Sequence, residues 1–381
     1  MKIKSYEGIL LDGRAVRIGV RGDKIVSVET IDRTPGMVRL LPVLVDLQQN
    51  GALGLAFNNL HETAQNDLEI IGNHLLKNGV GRVLATFTTT DYSILQTAAA
   101  AIREILDHDE RLDRLFFGIF HEGVFISPDY GWRGGHDPKF IQLPDYRKFS
   151  DLQERSGNRI RMINIAPEVE GAMEFISQAA GAGVKVALGH CHPSSKVICE
   201  AVARGATMVT HFANGAAPEI HRFKNPFWEF LSNYRLSLGL VGDGFHLPVE
   251  VTRTALAAKG VENCFMVSDA NIHSGRTPGI YQRIGGEPCQ IEANGFIHVV
   301  NSEILAGAWF QNNRSVEYLV NYVGIKFETA WKLCSTIPAR LVGIDLPDLS
   351  PGGEASFVRA EFAGGELRLH QVVFCGQEIS L

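Results

Sequence analysis

No apolar run in this chain reaches the roughly 18 residues that a membrane span requires. The N-terminal MKIKSYEGILLDG likewise lacks the long apolar stretch and small-residue cleavage site of a secretory leader. The two absences point to the cytoplasm and to no membrane attachment. Positive charge is also scarce: 36 Lys and Arg face 42 Asp and Glu, a formal net charge of −6. That balance leaves no cationic stripe for nucleic acid, and any anionic ligand must be held by local cations. Six cysteines (Cys191, Cys199, Cys264, Cys289, Cys334 and Cys375) include no C-x-x-C pair. A zinc ribbon or redox motif is therefore not indicated, and buried free thiols are the expectation. The Gly-rich stretch GWRGGHDP (131–138) has no phosphate-loop lysine pattern, and no G-x-G-x-x-G follows the first strand-like run.

What is present is a chain of 381 residues, 45% hydrophobic, long enough to bury a large core. Residues 1–40 carry short alternating segments (YEGILLDG, AVRIGVRG, KIVSVETI) broken by Gly and Asp at hairpin spacing. The last 30 or so residues repeat that character around a GG turn, and the two ends are expected to pair. The middle differs. Strand-like runs recur at 43–49, 82–90, 115–123, 160–168, 184–192, 206–214, 236–246 and 264–271, each followed by helical periodicity. Eight such units at a pitch of about 30 residues are what a (β/α)8 barrel needs. The expected fold is thus an α/β TIM-type barrel over 43–349, with a small β-sandwich domain from residues 1–42 plus 350–381.

Active sites of such barrels are built where strands end. The first run, LPVLVDLQQNGALG (41–54), ends in amides, Gln48 and Asn50. Later runs end in His121 and Glu122, His190 and His192, His211 and Asn214, Asp243 and His246, and Asp269. Taken alone, a strand-end histidine is more often a hydrogen-bonded structural residue, and Glu122 could be a loop ion pair. Taken together, these residues converge on one axis. One carboxylate with two imidazoles makes an open metal site, which Glu122, His190 and His211 can supply, with Asp269 beside it as general base and later proton donor. His61, His74, His108, His298 and His370 fall on helices, loops or terminal strands and read as surface or structural positions. HRFKNPFWEF (221–230) mixes cations with aromatics, and so short a run suits a local anion or a packing interface.

The chain resembles the N-acetylglucosamine-6-phosphate deacetylase family of the amidohydrolase superfamily. The resemblance rests on LVDLQQNG, HEGVFISP followed by GGHDP, IAPE, GHCHPSS, VTHFANGAAPEIHR, DGFHLP, SDA, LAGA, IPARLVGI and LSPGGEASFV, in family order across nearly the whole chain. It implies metal-dependent hydrolysis of an acetamide, with Glu122, His190 and His211 as ligands and Asp269 as acid/base. His136 would contact the acetamide carbonyl, while Asn214 and His246 would hold the sugar or its phosphate. Arg222 would approach the phosphate, often from a neighbouring subunit, so a homodimer is implied. Many amidohydrolases carry two histidines at the end of the first strand to hold a second metal. Gln48 and Asn50 stand in those places here, so one divalent ion per chain is expected, zinc first, with iron or another divalent ion as alternatives.

Three stretches depart from the family, one of them a slightly longer segment between FISP and GGHDP. FKNPFWEF follows Arg222 where Glu-Pro-Gly is common, and ANIHSG follows Asp269 where a Pro-Ala-Gly loop is common. These departures bear on the substrate more than on the chemistry. The working expectation is N-acetylglucosamine-6-phosphate going to glucosamine-6-phosphate and acetate. Alternatives are another N-acyl or cyclic amide, or a non-catalytic sugar-binding paralogue, against which the retained Asp269 argues.

Overall fold

In the computed structural model, residues 2–61, 64–283, 287–302, 304–346 and 348–381 are described. Eight parallel strands follow one another round a single sheet in chain order: Leu44–Gln49, Val80–Phe87, Gly118–His121, Ile160–Ile165, Lys185–Leu188, Ala206–Val209, Ser237–Val241 and Cys264–Val267. Each matches one of the runs read from sequence. Almost every residue on them is buried, as expected for strands covered on both faces. The ring closes between last and first strands through a parallel bridge, Gln49 to Ala270, and a bond in which Asp269 N–H donates to Gln48 O at 3.0 Å. Closure sets the first and last strand ends side by side.

The covering helices form because their apolar residues recur on one face. Ala64–Lys77 buries Leu68, Ile71, Gly72, Leu75 and Leu76, a stripe at i, i+3, i+4, i+7 and i+8. Tyr92–His108 buries Leu95, Ala98, Ala99, Ile102, Ile105 and Leu106 and starts at an N-cap, where Asp91 accepts from Ser93 N–H.

Both chain ends meet in a second sheet of seven strands. Arg39–Pro42 pairs antiparallel with Phe357–Ala363, and Lys4–Ile9 and its hairpin partners extend the sheet on the other side. Tyr6, Val16, Ile18, Val20, Leu40, Phe357 and Val373 form its own core. This unit is joined to the barrel partly by a buried ion pair, Arg82 Nη2 to Glu354 Oε1 at 2.9 Å, to which Arg114 adds a second guanidinium. A third, three-stranded sheet (Gly279–Tyr281, Cys289–Ile291, Ile297–Val299) follows the last barrel strand. All six thiols are free; four are buried, Cys375 is half-buried and Cys199 is exposed.

Strand alternation separates two neighbours in the sequence. Glu122 points into the barrel mouth, whereas His121 is fully buried near Tyr92 and Phe125, and neither of its ring nitrogens has a hydrogen-bond partner. His121 is therefore not a site residue. Burial pushes its pKa from 6.5 down to about 4. Between those values the unfolded chain takes up a proton that the folded chain refuses, so stability is lost as pH falls from 6.5 towards 4. The loss should approach about 3 kcal/mol below pH 4. Urea titrations of wild type and His121→Leu across pH 4–7 should show a shallower acid loss in the variant, and parallel curves would contradict this assignment.

Candidate metal centre

Three of the strand-end residues sit in backbone conformations that L-residues avoid. His190, His211 and Asp269 have φ of 49°, 28° and 49°. Each costs on the order of 1–3 kcal/mol and persists only where the surrounding structure over-determines it. The reward is direction: each side chain turns in from the end of its strand toward the barrel axis. Room for the ring of His190 comes from Gly215, where a Cβ would lie 2.4 Å from His190 Nδ1.

The result is a tight group of lone-pair donors. His211 Nε2 lies 2.9 Å from Glu122 Oε1 and 2.9 Å from His190 Nε2, and His190 Nε2 lies 3.4 Å from the same carboxylate oxygen. Glu122, His190 and His211 are buried. His136 joins them from the Gly-rich loop after the third strand, its Nε2 3.3 Å from His190 Nε2. Ligand atoms of Glu122, His136 and His190 lie within 4.8 Å of one another. A carboxylate and imidazole nitrogens this close can share a proton or hold a cation between them. The donor set suits a divalent metal.

The amides of the first strand work against the same carboxylates. Gln48 Nε2 donates to Glu122 Oε1 at 2.7 Å and to Asp269 Oδ1 at 3.3 Å, while Gln48 Oε1 accepts from Thr210 Oγ1 at 2.6 Å. Asn50 Nδ2 donates to Asp269 Oδ1 at 2.9 Å. Amide N–H groups thus occupy the side of Glu122 and Asp269 where a second cation would otherwise be needed. Beneath them, buried Asp46 accepts from Ser268 N–H and Gln48 N–H, tying the first strand to the last.

The electrostatics divide the carboxylates. Burial opposes the charge of Glu122, but bonds from His190 and His211 prevail and hold its pKa below the carboxylate range. Asp269 is pushed upward, first by burial and then by the charge of Glu122 beside it. Two carboxylates with pKa values driven apart are the usual arrangement for one ligand and one proton carrier. His136 is pushed down to about 3 by burial and by His190, so its ring is neutral.

The remaining sequence-derived residues are placed less uniformly. His246 is fixed by Asp243, whose Oδ2 lies 2.7 Å from its Nδ1. Asn214 has a buried Nδ2 without an acceptor. Arg222 is exposed, its guanidinium 5.4 Å from the Phe223 ring, and it makes no bond to the cluster among the described residues. His192 turns away from the cluster and stacks on Trp132, centroids 4.6 Å apart and planes 11° apart. That stack steadies the loop bearing His136, and the Trp132 carbonyl lies 3.3 Å from His190 Nδ1, holding the far side of that ring. Neither Trp132 nor Thr89, which bonds His136, stood out in the sequence; a run of three threonines does not say which one matters.

No family model matches the chain. Among curated proteins it is 24% identical over 339 residues to the N-acetylglucosamine-6-phosphate deacetylase of Bacillus subtilis (strain 168), covering 86% of this chain and 83% of that protein. It is 27% identical over 343 residues to the N-acetylgalactosamine-6-phosphate deacetylase of Escherichia coli O157:H7, covering 89% and 87%. A solved N-acetyl-D-glucosamine-6-phosphate deacetylase mutant from Mycobacterium smegmatis, in complex with N-acetyl-D-glucosamine-6-phosphate, superposes with a TM-score of 0.84 at 22% identity, covering 97% and 95%. The neighbours of this chain are amino-sugar-phosphate deacetylases of the amidohydrolase superfamily. These deacetylases are hydrolases of a linear acetamide, and the barrel with its small terminal sheet is their fold.

Elemental analysis of the wild-type chain should give one divalent ion per chain. Replacing both amides by imidazoles, Gln48→His with Asn50→His, should raise the count to two by restoring donors beside Glu122 and Asp269. Two ions in the wild type would contradict the reading of these amides.

Proposed function

We propose that this protein is a metal-dependent deacetylase that hydrolyses the acetamide of an N-acetylamino sugar, most simply N-acetylglucosamine-6-phosphate to glucosamine-6-phosphate and acetate. The observation that carries the reading is the convergence of Glu122, His190 and His211 on one point, with Asp269 held beside it by two amide donors. Glu122, His190 and His211 would hold the metal. A divalent ion bound there supplies the Lewis acidity that polarises a carbonyl and makes water nucleophilic at neutral pH. Zinc fits one carboxylate with imidazoles, and iron is the next choice.

The chain's own groups do the rest. Asp269 takes the proton of the attacking water and delivers it to the departing nitrogen; its raised pKa brings it nearer the pH at which both transfers are efficient. Donors on Oδ1 from Asn50 and Gln48 leave Oδ2 as the oxygen free for this exchange. His136, Asn214 and His246 would face the sugar. Arg222 would meet a phosphate across a homodimer interface, a role its exposure beside Phe223, Trp228 and Ile220 suits, since a chain that buries this apolar group against a second copy also carries the arginine there. The two domains would be 43–349 and the terminal unit 1–42 plus 350–381, working in the cytoplasm.

The relatives differ in their hexosamine, N-acetylglucosamine in one and N-acetylgalactosamine in another. A deacetylation screen of both sugars, with and without the 6-phosphate, tests the substrate, and no turnover of any of them would overturn the reading. Asp269→Asn should lower kcat by about 10²–10⁴-fold while leaving the metal content unchanged. Near-wild-type turnover in that variant would rule out the acid/base role.

A further inference from the structure

Glu122, His190 and His211 follow the third, fifth and sixth barrel strands, while the fourth, Ile160–Ile165, runs between the third and the fifth. What the fourth strand supplies is Asn164, which is fully buried. Ladder pairing on its two sides stops at His121 and at Leu188, so the carbonyls of the next residues, Glu122 and Gly189, leave the sheet. Asn164 Nδ2 donates to both, to Glu122 O at 3.1 Å and to Gly189 O at 3.2 Å. Two carbonyl acceptors fix which end of the amide faces them, because only its nitrogen carries hydrogens. The other end, Oδ1, is buried without a partner among the described residues. A leucine of similar volume would avoid that unpaired acceptor, so the two bonds are what an amide adds at this position.

Both bonds fall on backbone that carries a donor of the cluster. One holds the carbonyl of Glu122 itself. The other holds the carbonyl of Gly189, which shares a planar peptide group with His190 N, so it sets the plane from which His190 turns inward at a φ of 49°. Gly189 leaves room for this contact: a Cβ there would lie 2.5 Å from Thr210 Cγ2 and 3.0 Å from Asn164 Oδ1. We infer that Asn164 is a positioning residue of the metal site, one amide that sets the spacing of the strand ends bearing Glu122 and His190, whose Oε1 and Nε2 stand 3.4 Å apart. It acts through the backbone of those residues and leaves their ligand atoms free. This rests on the proposed metal site of Glu122, His190 and His211.

Asn164→Leu keeps the volume and removes both donors. In chelator competition its zinc affinity should fall about 10–100-fold, the usual loss when a group supporting a ligand is removed. The visible absorption bands of the cobalt-loaded variant should also shift, because they report ligand geometry. Ile163→Ala is the control: it opens a cavity at a buried neighbour on the same strand whose side chain points to the opposite face. That variant should lose stability to urea yet keep the wild-type zinc affinity and cobalt spectrum. Asn164→Thr, with a single hydroxyl donor, should fall between wild type and Asn164→Leu, and it carries the test if the leucine variant does not fold. Wild-type zinc affinity in the folded Asn164 variants, or an equal loss in Ile163→Ala, would overturn this inference and leave the three-residue site standing. A wild-type protein that binds neither zinc nor cobalt would instead overturn the site reading itself.

Discussion

The structure turns on a single electrostatic problem: several lone-pair donors each lie 2.9–3.4 Å from a neighbouring donor in a buried pocket at the end of a barrel. In water such groups would repel or hydrate; here burial removes the hydration, and a shared proton or cation offsets the repulsion. Much of the surrounding fold serves to keep those donors in place. Ring closure between Asp269 and Gln48 brings the first and last strands together, and the left-handed φ values of His190, His211 and Asp269 turn three side chains toward the axis.

The amides of the first strand follow from the same constraint. A carboxylate pair such as Glu122 and Asp269 needs positive partners, and a second metal is one way of supplying them. Gln48 and Asn50 supply N–H donors instead, and Thr210 holds Gln48 in the orientation that aims its nitrogen at both acids. Asp269 keeps a raised pKa despite the Asn50 donor, because burial and the charge of Glu122 outweigh it.

Much of this was readable from sequence. Buried parallel strands are near-continuous apolar runs, and eight of them with helical stretches between leave few alternatives; the motifs at their ends named Glu122, His190, His211 and Asp269. Alternation along a strand was harder to use, because a run ending in two polar residues does not say which one faces inward, so His121 and His192 stood in the sequence beside the residues that converge at the barrel mouth. Partners from other elements were harder still. Thr89, Thr210 and Trp132 come from other loops or strand ends, and only the closed barrel brings them to His136, Gln48 and His190. Arg222 shows the opposite limit, since a residue whose proposed role needs a second chain has no visible partner within one.

The account stands on one cation at the Glu122, His190 and His211 donors and none at the amides. Anomalous diffraction from crystals of the zinc-loaded protein, collected either side of the zinc edge, reads this directly. A single peak within bonding distance of Glu122 Oε1, His190 Nε2 and His211 Nε2 is the expected result. A peak against Gln48 or Asn50, or none at the three donors, would contradict it.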